Sequence, residues 1–277
     1  MIRYGIMKEY VLGTDEAEYR RLGLQHRLWA WHAHRAWERG RVGPGMRVLD
    51  IGCGPGWAAM DLAALVGAGG EVFGVDASEA YVEAFNQVAA ASRVPWARAV
   101  VGDVEDLPAA EGIEPGFDAA WARWVLCFLK TPAHVLRHAA ALLRPGGRLI
   151  VQDYFNYESM QFAPRSPLFE TVVNAISESW RDSGGNPDVM GEIRMHAREV
   201  GFRIVHFDVI QRVAYPHEQM WAWPDVFWKS FLPRIVGTGH LSPEDHEAFT
   251  REWAERSRDP DTFMHLPTVY EMVAEKM

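Results

Sequence analysis

Three glycines at alternate positions follow an apolar run: Val48-Leu49-Asp50-Ile51-Gly52-Cys53-Gly54-Pro55-Gly56. Glycine lacks a Cβ, so this backbone can turn sharply and let a ligand approach closely. The next segment, Trp57–Val66, has helical patterning and points an N-terminus with unpaired N–H groups at that ligand. A dinucleotide fingerprint counted from Gly52 needs Gly or Ala at position 57, where this chain has Trp. Pro55 inside the loop fits a pyrophosphate poorly. Asp50 before the turn would repel phosphates and suits an ammonium group.

Two more acids end apolar strands. Asp76 closes Val72-Phe73-Gly74-Val75-Asp76, where a carboxylate can accept both hydroxyls of a ribose; as a plain alternative it caps a helix together with Ser78. Asp103 stands in Val101-Gly102-Asp103-Val104, and its plain alternative is a solvated turn acid. Leu143-Arg144-Pro145-Gly146-Gly147-Arg148-Leu149 reads as a turn before a further strand.

In this order, over about residues 47–153, the four segments resemble the class I, Rossmann-like S-adenosylmethionine (SAM)-dependent methyltransferases of small-molecule type. That family's first motif, an acid followed by G-x-G-x-G, stands here as Asp50, Gly52, Gly54 and Gly56. The resemblance implies SAM as cofactor and S-adenosylhomocysteine (SAH) as product. It implies that the three glycines border the methionine part and that Asp50 acts near its amino group. Asp76 and Ala77 fall at the ribose, and Gly102, Asp103 and Val104 at the adenine. The N-terminal segment, with Tyr10 and Gln25-His26-Arg27, is implied to fold over the cofactor.

Methyl transfer from a sulfonium is an in-line displacement, so the protein mainly holds acceptor and methyl together and excludes water. Open α/β sheets bind ligands beyond the carboxyl ends of their strands. That places Arg123 and Trp124 after a fourth strand, and Asp153, Tyr154 and Phe155 after a fifth. Arg123 would orient the cofactor or an anionic substrate, or else make a surface salt bridge. Asp153 would accept a substrate proton, and Tyr154 would wall the pocket or donate a hydrogen bond. These two are the candidate catalytic residues. Trp180, Trp221, Trp223, Phe227, Trp228 and Phe231 would build a bulky lid or serve as core. His196, His206 and His217 are scattered, no H-E-x-x-H groups the histidines, and no metal is expected. There is no G-x-S-x-G elbow.

The elements that must carry these residues alternate. Short strands at Arg47–Ile51, Glu71–Val75, Ala97–Val101, Phe117–Trp121 and Arg148–Gln152 are separated by helical patterns at Trp57–Val66, about 79–92, and Pro132–Leu143. The expected fold is α/β: a doubly wound, mostly parallel seven-stranded-type sheet with helices on both faces, one antiparallel strand, and a helical cap. Residues 1–45 form an N-terminal helical cap segment, its helix starting near a Thr14 cap. Residues 46–215 form the core, with a loop-rich insertion at about 154–190, a helix to about Val200, and strands at Phe202–Ile210 and Val213–Tyr215. Residues 216–277 read as a helical lid.

The chain has 277 residues and a formal net charge of -9. Without a dense Lys/Arg run, that balance argues against a nucleic-acid partner. Two cysteines are too few for a disulfide framework. No signal peptide or apolar span is evident, so a cytoplasmic protein without a membrane partner is expected. The expected function is methyl transfer to a small, aromatic or hydrophobic acceptor. The alternatives are methylation of a macromolecule (tRNA or protein), a non-catalytic SAM-binding module, and an NAD(P)-dependent oxidoreductase. A homodimer is left open.

Overall fold

The computed structural model describes residues 16–277; Tyr10 and Thr14 lie outside them. The first helix, α1, spans Glu16–Arg39, with acids in its first turn and Arg39 in its last, both favourable to the helix dipole. Trp29, Ala33, Ala36 and Trp37 make one buried stripe at helical spacing.

Strand and helix then alternate as expected: β1 (Arg47–Ile51), α2 (Trp57–Val66), β2 (Glu71–Asp76), α3 (Glu79–Ala91), β3 (Ala97–Val101), β4 (Phe117–Arg123), α4 (Pro132–Leu142) and β5 (Leu143–Tyr154). After β5 come β6 (Gln161–Ala163), α5 (Pro167–Asp182), α6 (Met190–Glu199), β7 (Phe202–Ile210) and β8 (Val213–Ala214). Helices α7 (Ala222–Gly237) and α8 (Pro243–Arg256) precede β9 (Phe263–His265) and β10 (Val269–Lys276).

The main sheet runs β3-β2-β1-β4-β5-β10-β7. Its first five strands pair in parallel, and β10 lies antiparallel to both β5 and β7. Successive side chains alternate between two cores: Leu149 and Val151 face one, Ile150 the other. Strands buried on both faces are the mark of a doubly wound sheet.

Two expectations are corrected. The tail is not helical to residue 277: β10 is a central strand of the sheet, so the core does not close at residue 215. Its central residues, Glu271–Ala274, are all buried, so no polar/apolar alternation announces a strand. Its Glu, Ala and Lys residues also argue against one by propensity. The insertion at 154–190 is not mainly loop: the 16-residue α5 occupies much of it. Pro167 sits in the first turn of α5, and the Ser166 side chain accepts from Phe169 N at 3.1 Å, an N-cap. Strands β6, β9 and β8 form a second, three-stranded antiparallel sheet.

Strands β2, β4 and β5 each run one or two residues past their expected carboxyl ends, and β5 also begins earlier, at Leu143. Asp76, Arg123 and Tyr154 are therefore terminal strand residues, fixed by the sheet rather than carried on loops.

Candidate functional site

A cavity of about 1290 Å³ opens beyond the carboxyl ends of β1, β2, β4 and β5. Its floor is the glycine turn. Gly54 has φ 52°, and a Cβ built on it would meet no atom within 4 Å. A bare backbone in that position leaves room for a ligand. Gly52 also borders the cavity. Gly56 does not: a Cβ there would stand 2.5 Å from the Phe85 ring, so this glycine serves the packing of α3 on the turn.

Asp50, at the end of β1, is buried, and its Oδ2 has no hydrogen-bond partner. Burial pushes its carboxyl up to about 7, against the pull of nearby Arg123. Arg123, at the end of β4, donates from Nη2 to His26 Nδ1 at 2.9 Å, while Nη1 has no partner. Burial lowers its guanidinium to about 10, still cationic at neutral pH. The guanidinium carbon lies 4.9 Å from the Trp124 ring centroid.

His26 is held in turn. Its Nε2 lies 3.0 Å from Asp61 Oδ2, which also meets His34 Nε2 at 3.0 Å. A guanidinium only donates, so Nδ1 must accept and Nε2 must carry the proton given to Asp61. Burial holds the His26 pKa below its usual value. The result is a carboxylate and a cation, each with one unsatisfied buried atom, at one end of one cavity. That pair matches the ammonium and carboxylate of an amino acid, the group that SAM carries.

Asp76 receives two backbone donors: Gly54 N at 2.8 Å on Oδ2 and Ser78 N at 2.9 Å on Oδ1. It ties the glycine turn to the start of α3, and each oxygen keeps a lone pair for a ribose hydroxyl. Ala77 lies beside it in the cavity wall, and Gly102, Asp103 and Val104 form the wall after β3. Asp103 accepts from Glu105 N at 2.9 Å through Oδ1. The donor set therefore fits SAM in its amino-acid, ribose and base portions.

The other lobe is aromatic. Trp124 stacks between Tyr154 and Trp223, with centroids 6.1 and 5.7 Å apart. Tyr157 and Trp180 continue the wall. Burial pushes the Tyr154 phenol well up, so at neutral pH it is a hydrogen-bond donor and not a phenolate. Among the lid aromatics, Trp223, Phe227 and Trp228 reach the cavity; Trp221 does not, stacking instead on Trp253 at 4.5 Å and 10°.

Asp153 corrects the expectation of a substrate base. It is buried below the cavity, where Oδ2 accepts from Cys127 N at 3.2 Å and Oδ1 from Tyr154 N at 2.9 Å. Side chains alternate along a strand, so Asp153 and Tyr154 cannot share a face. His196, His206 and His217 also lie outside the cavity wall.

Sequence reasoning named Gln25 but missed Glu18 and Arg21, which form with it a polar string beside the aromatic lobe. Arg21 donates from Nε and Nη2 to both Glu18 oxygens at 2.6 and 2.7 Å. Gln25 Oε1 accepts from Arg21 Nη1 and Trp223 Nε1, both at 2.9 Å, joining α1 to α7. The i, i+3, i+7 spacing of Glu18, Arg21 and Gln25 on one helix face was its available signal.

Residues 49–151 match the methyltransferase domain family. The chain is 34% identical over 159 residues to the 2-phytyl-1,4-naphtoquinone methyltransferase of Synechococcus elongatus, covering 56% of this chain and 61% of that one. It is 37% identical over 118 residues to the 27-O-demethylrifamycin SV methyltransferase of Amycolatopsis mediterranei, covering 40% and 39%. Both matches span less than two thirds of the relative's length. In structure it is similar to a methyltransferase-type protein from Bacillus halodurans (BH2331), at TM-score 0.60 and 17% identity over 88% of this chain and 98% of that one. That likeness shows the shared fold. The strand-end acids Asp50 and Asp76 and the glycine turn all lie within residues 49–151, the segment that matches the methyltransferase domain family.

Proposed function

We propose that this protein transfers the methyl group of SAM to a small aromatic or hydrophobic acceptor and releases SAH. One observation carries the reading: the charged end at Asp50, Asp76 and Arg123 and the aromatic lobe at Trp124, Tyr154 and Trp223 line the same cavity. When bound, SAM supplies an electrophilic methyl on sulfur. SAM so held would offer that methyl for in-line displacement by an acceptor lone pair, the carbon–sulfur bond breaking to leave SAH. The chain's residues orient and desolvate. Asp50 and Arg123 fix the amino-acid group, Asp76 the ribose, and the stacked aromatics hold a flat or apolar acceptor and keep water out. Tyr154 donates a hydrogen bond to a polar atom of that acceptor.

The two curated relatives are named for small-molecule acceptors, a naphthoquinone and a rifamycin, which supports the same class. Methylation of a macromolecule is the second reading, disfavoured by the hydrogen bond from Trp223 to Gln25 that joins α7 to α1 beside the lobe. Both cysteines are free and buried, in keeping with a reducing, cytoplasmic setting. No helix among the described residues is long and apolar enough to cross a membrane.

The test is calorimetric titration with SAH beside NADH, followed by methyl-transfer screening against quinones, phenols and polyketides. SAH binding with turnover of such an acceptor is expected. NADH binding alone, or turnover of tRNA or protein only, would overturn the reading.

A further inference from the structure

A second cleft, of about 400 Å³, lies between the end of α1 and the β7 edge of the sheet. Its wall is Arg39, Arg41, Arg148, Arg203, Val205 and His206. None of these lines the donor cavity. In a chain with net charge -9, four arginines converge here on two carboxylates. Arg39 Nη1 meets Glu271 Oε1 at 2.7 Å, and Glu275 takes Arg203 Nη2 at 2.8 Å and Arg148 Nη2 on its other oxygen. Arg41 lies near Glu275, and its side chain makes no ion pair or hydrogen bond among the described residues. His206 Nε2 is 3.4 Å from Glu271 Oε1 without a hydrogen bond, and it is buried. Two positive charges remain uncompensated in a concave site.

Two backbone features aim these groups. Arg41 has φ 58° in the turn that ends α1, closed by Val42 N donating to Trp37 O at 2.9 Å. That turn ordinarily takes glycine, and an L side chain there is strained. Strain kept at one residue points to a use for its side chain. In β7 the pairing with β10 shifts register between Val273 and Ala274: Val273 faces His206, Ala274 faces Ile204, and Val205 is left over. Ile204 and Phe207 pack on the large core, so this bulge turns Val205 and His206 together to the face of Arg203.

We propose that this cleft is a binding site for a multiply charged oxyanion of phosphate type, separate from the methyl-donor site. Several guanidinium forks on one concave surface match the geometry of phosphate oxygens, each contact a charge-assisted hydrogen bond. The Glu271 and Glu275 carboxylates hold Arg39, Arg148 and Arg203 in place, and Arg41 supplies an unspent fork.

The test is calorimetric titration of the whole chain with inorganic pyrophosphate and with inorganic phosphate, using chloride at matched ionic strength as control. Saturable one-to-one binding is expected. In Arg41→Gly, which relieves the strained turn and keeps the fold, affinity should fall roughly tenfold, the loss of one charged hydrogen bond. Arg203→Ala should weaken binding as well. Thermal unfolding checks that both variants fold. Whichever anion binds more tightly identifies the ligand's charge class. Absence of saturable heat with both anions, or equal affinity in wild type and both variants, would overturn the proposal.

Discussion

Arg123 Nη2 donates to His26 Nδ1 across 2.9 Å, so a histidine on α1 fixes a cationic fork in the cavity beside Asp50. The bond is possible only for the tautomer that carries its proton on Nε2, and Asp61 selects that tautomer from α2. Asp61 is therefore a positioning residue. Asp61→Asn can present an amide donor to Nε2 and flip the tautomer, setting a ring N–H against the guanidinium. SAH affinity is expected to fall by about 1 kcal/mol, several-fold in Kd. His26→Gln, which can keep a carbonyl acceptor for Arg123, should retain more affinity than His26→Leu. Equal losses in the two His26 variants would show a packing role instead.

If Asp50 holds the amino-acid ammonium, SAH binding is expected to release protons. Its carboxyl titrates near 7 in the free protein, so close to neutral pH a large fraction is protonated. An ammonium group placed beside it favours the carboxylate and expels that proton. SAH affinity should rise with pH through this range. Calorimetry in buffers of different ionisation enthalpy should show net proton release, absent in Asp50→Asn. Stability runs the other way. The folded state holds a proton that the unfolded chain loses near 3.8, so Asp50 costs the ligand-free protein stability progressively as pH rises from about 4 to about 7. Zero proton release at neutral pH would remove Asp50 from the ammonium site.

Gly54 and Gly56 separate binding from folding. A methyl at Gly54 meets nothing in the protein, so Gly54→Ala should fold with a penalty of about 1–2 kcal/mol for its left-handed backbone. That methyl would occupy the floor of the cavity, and SAH binding should drop sharply. Gly56→Ala drives its methyl into Phe85, so it should lower the melting temperature more and leave any folded fraction able to bind. Thermal melts and SAH titrations of the two variants, side by side, check the contrast.

The strand-end rim of the cavity was legible because strand-end acids and glycines encode their positions locally. Asp50 stands one residue before the end of β1, Asp76 ends β2 and Asp103 lies two residues past β3, so the backbone alone delivers all three to one rim. The acceptor half was not, because it is assembled from residues 18–25, 124, 154–157, 180 and 223, which only tertiary packing brings together. β10 escaped for a related reason. A strand covered on both faces has no alternation to read, and its buried Glu271 is satisfied by Gln152 and Arg39, partners that only the fold brings to it. Asp153 misled because alternation along β5 gives Tyr154 the cavity face and turns Asp153 away from it.

Asp153 and Tyr154 then give opposite expectations for adjacent residues. Asp153 binds the backbone of Cys127 and Tyr154 and has no access to the cavity, and burial pushes its carboxyl to about 6. Its folded pKa is raised, so it costs stability as pH rises from about 4 to about 6. Asp153→Asn keeps a carbonyl acceptor, should flatten that part of the stability–pH curve, and should leave KM for the acceptor unchanged. Tyr154→Phe keeps the stack on Trp124 and removes the one hydroxyl. It should preserve SAH affinity and lower kcat/KM for the acceptor roughly tenfold, the worth of a buried hydrogen bond in the reacting complex. Steady-state kinetics with separate KM and kcat, together with melts across the acid range, distinguish the two. A Tyr154→Phe enzyme with unchanged kcat/KM would reduce Tyr154 to a wall, and a loss of kcat in Asp153→Asn at unchanged stability would return the proton-accepting role to that carboxylate.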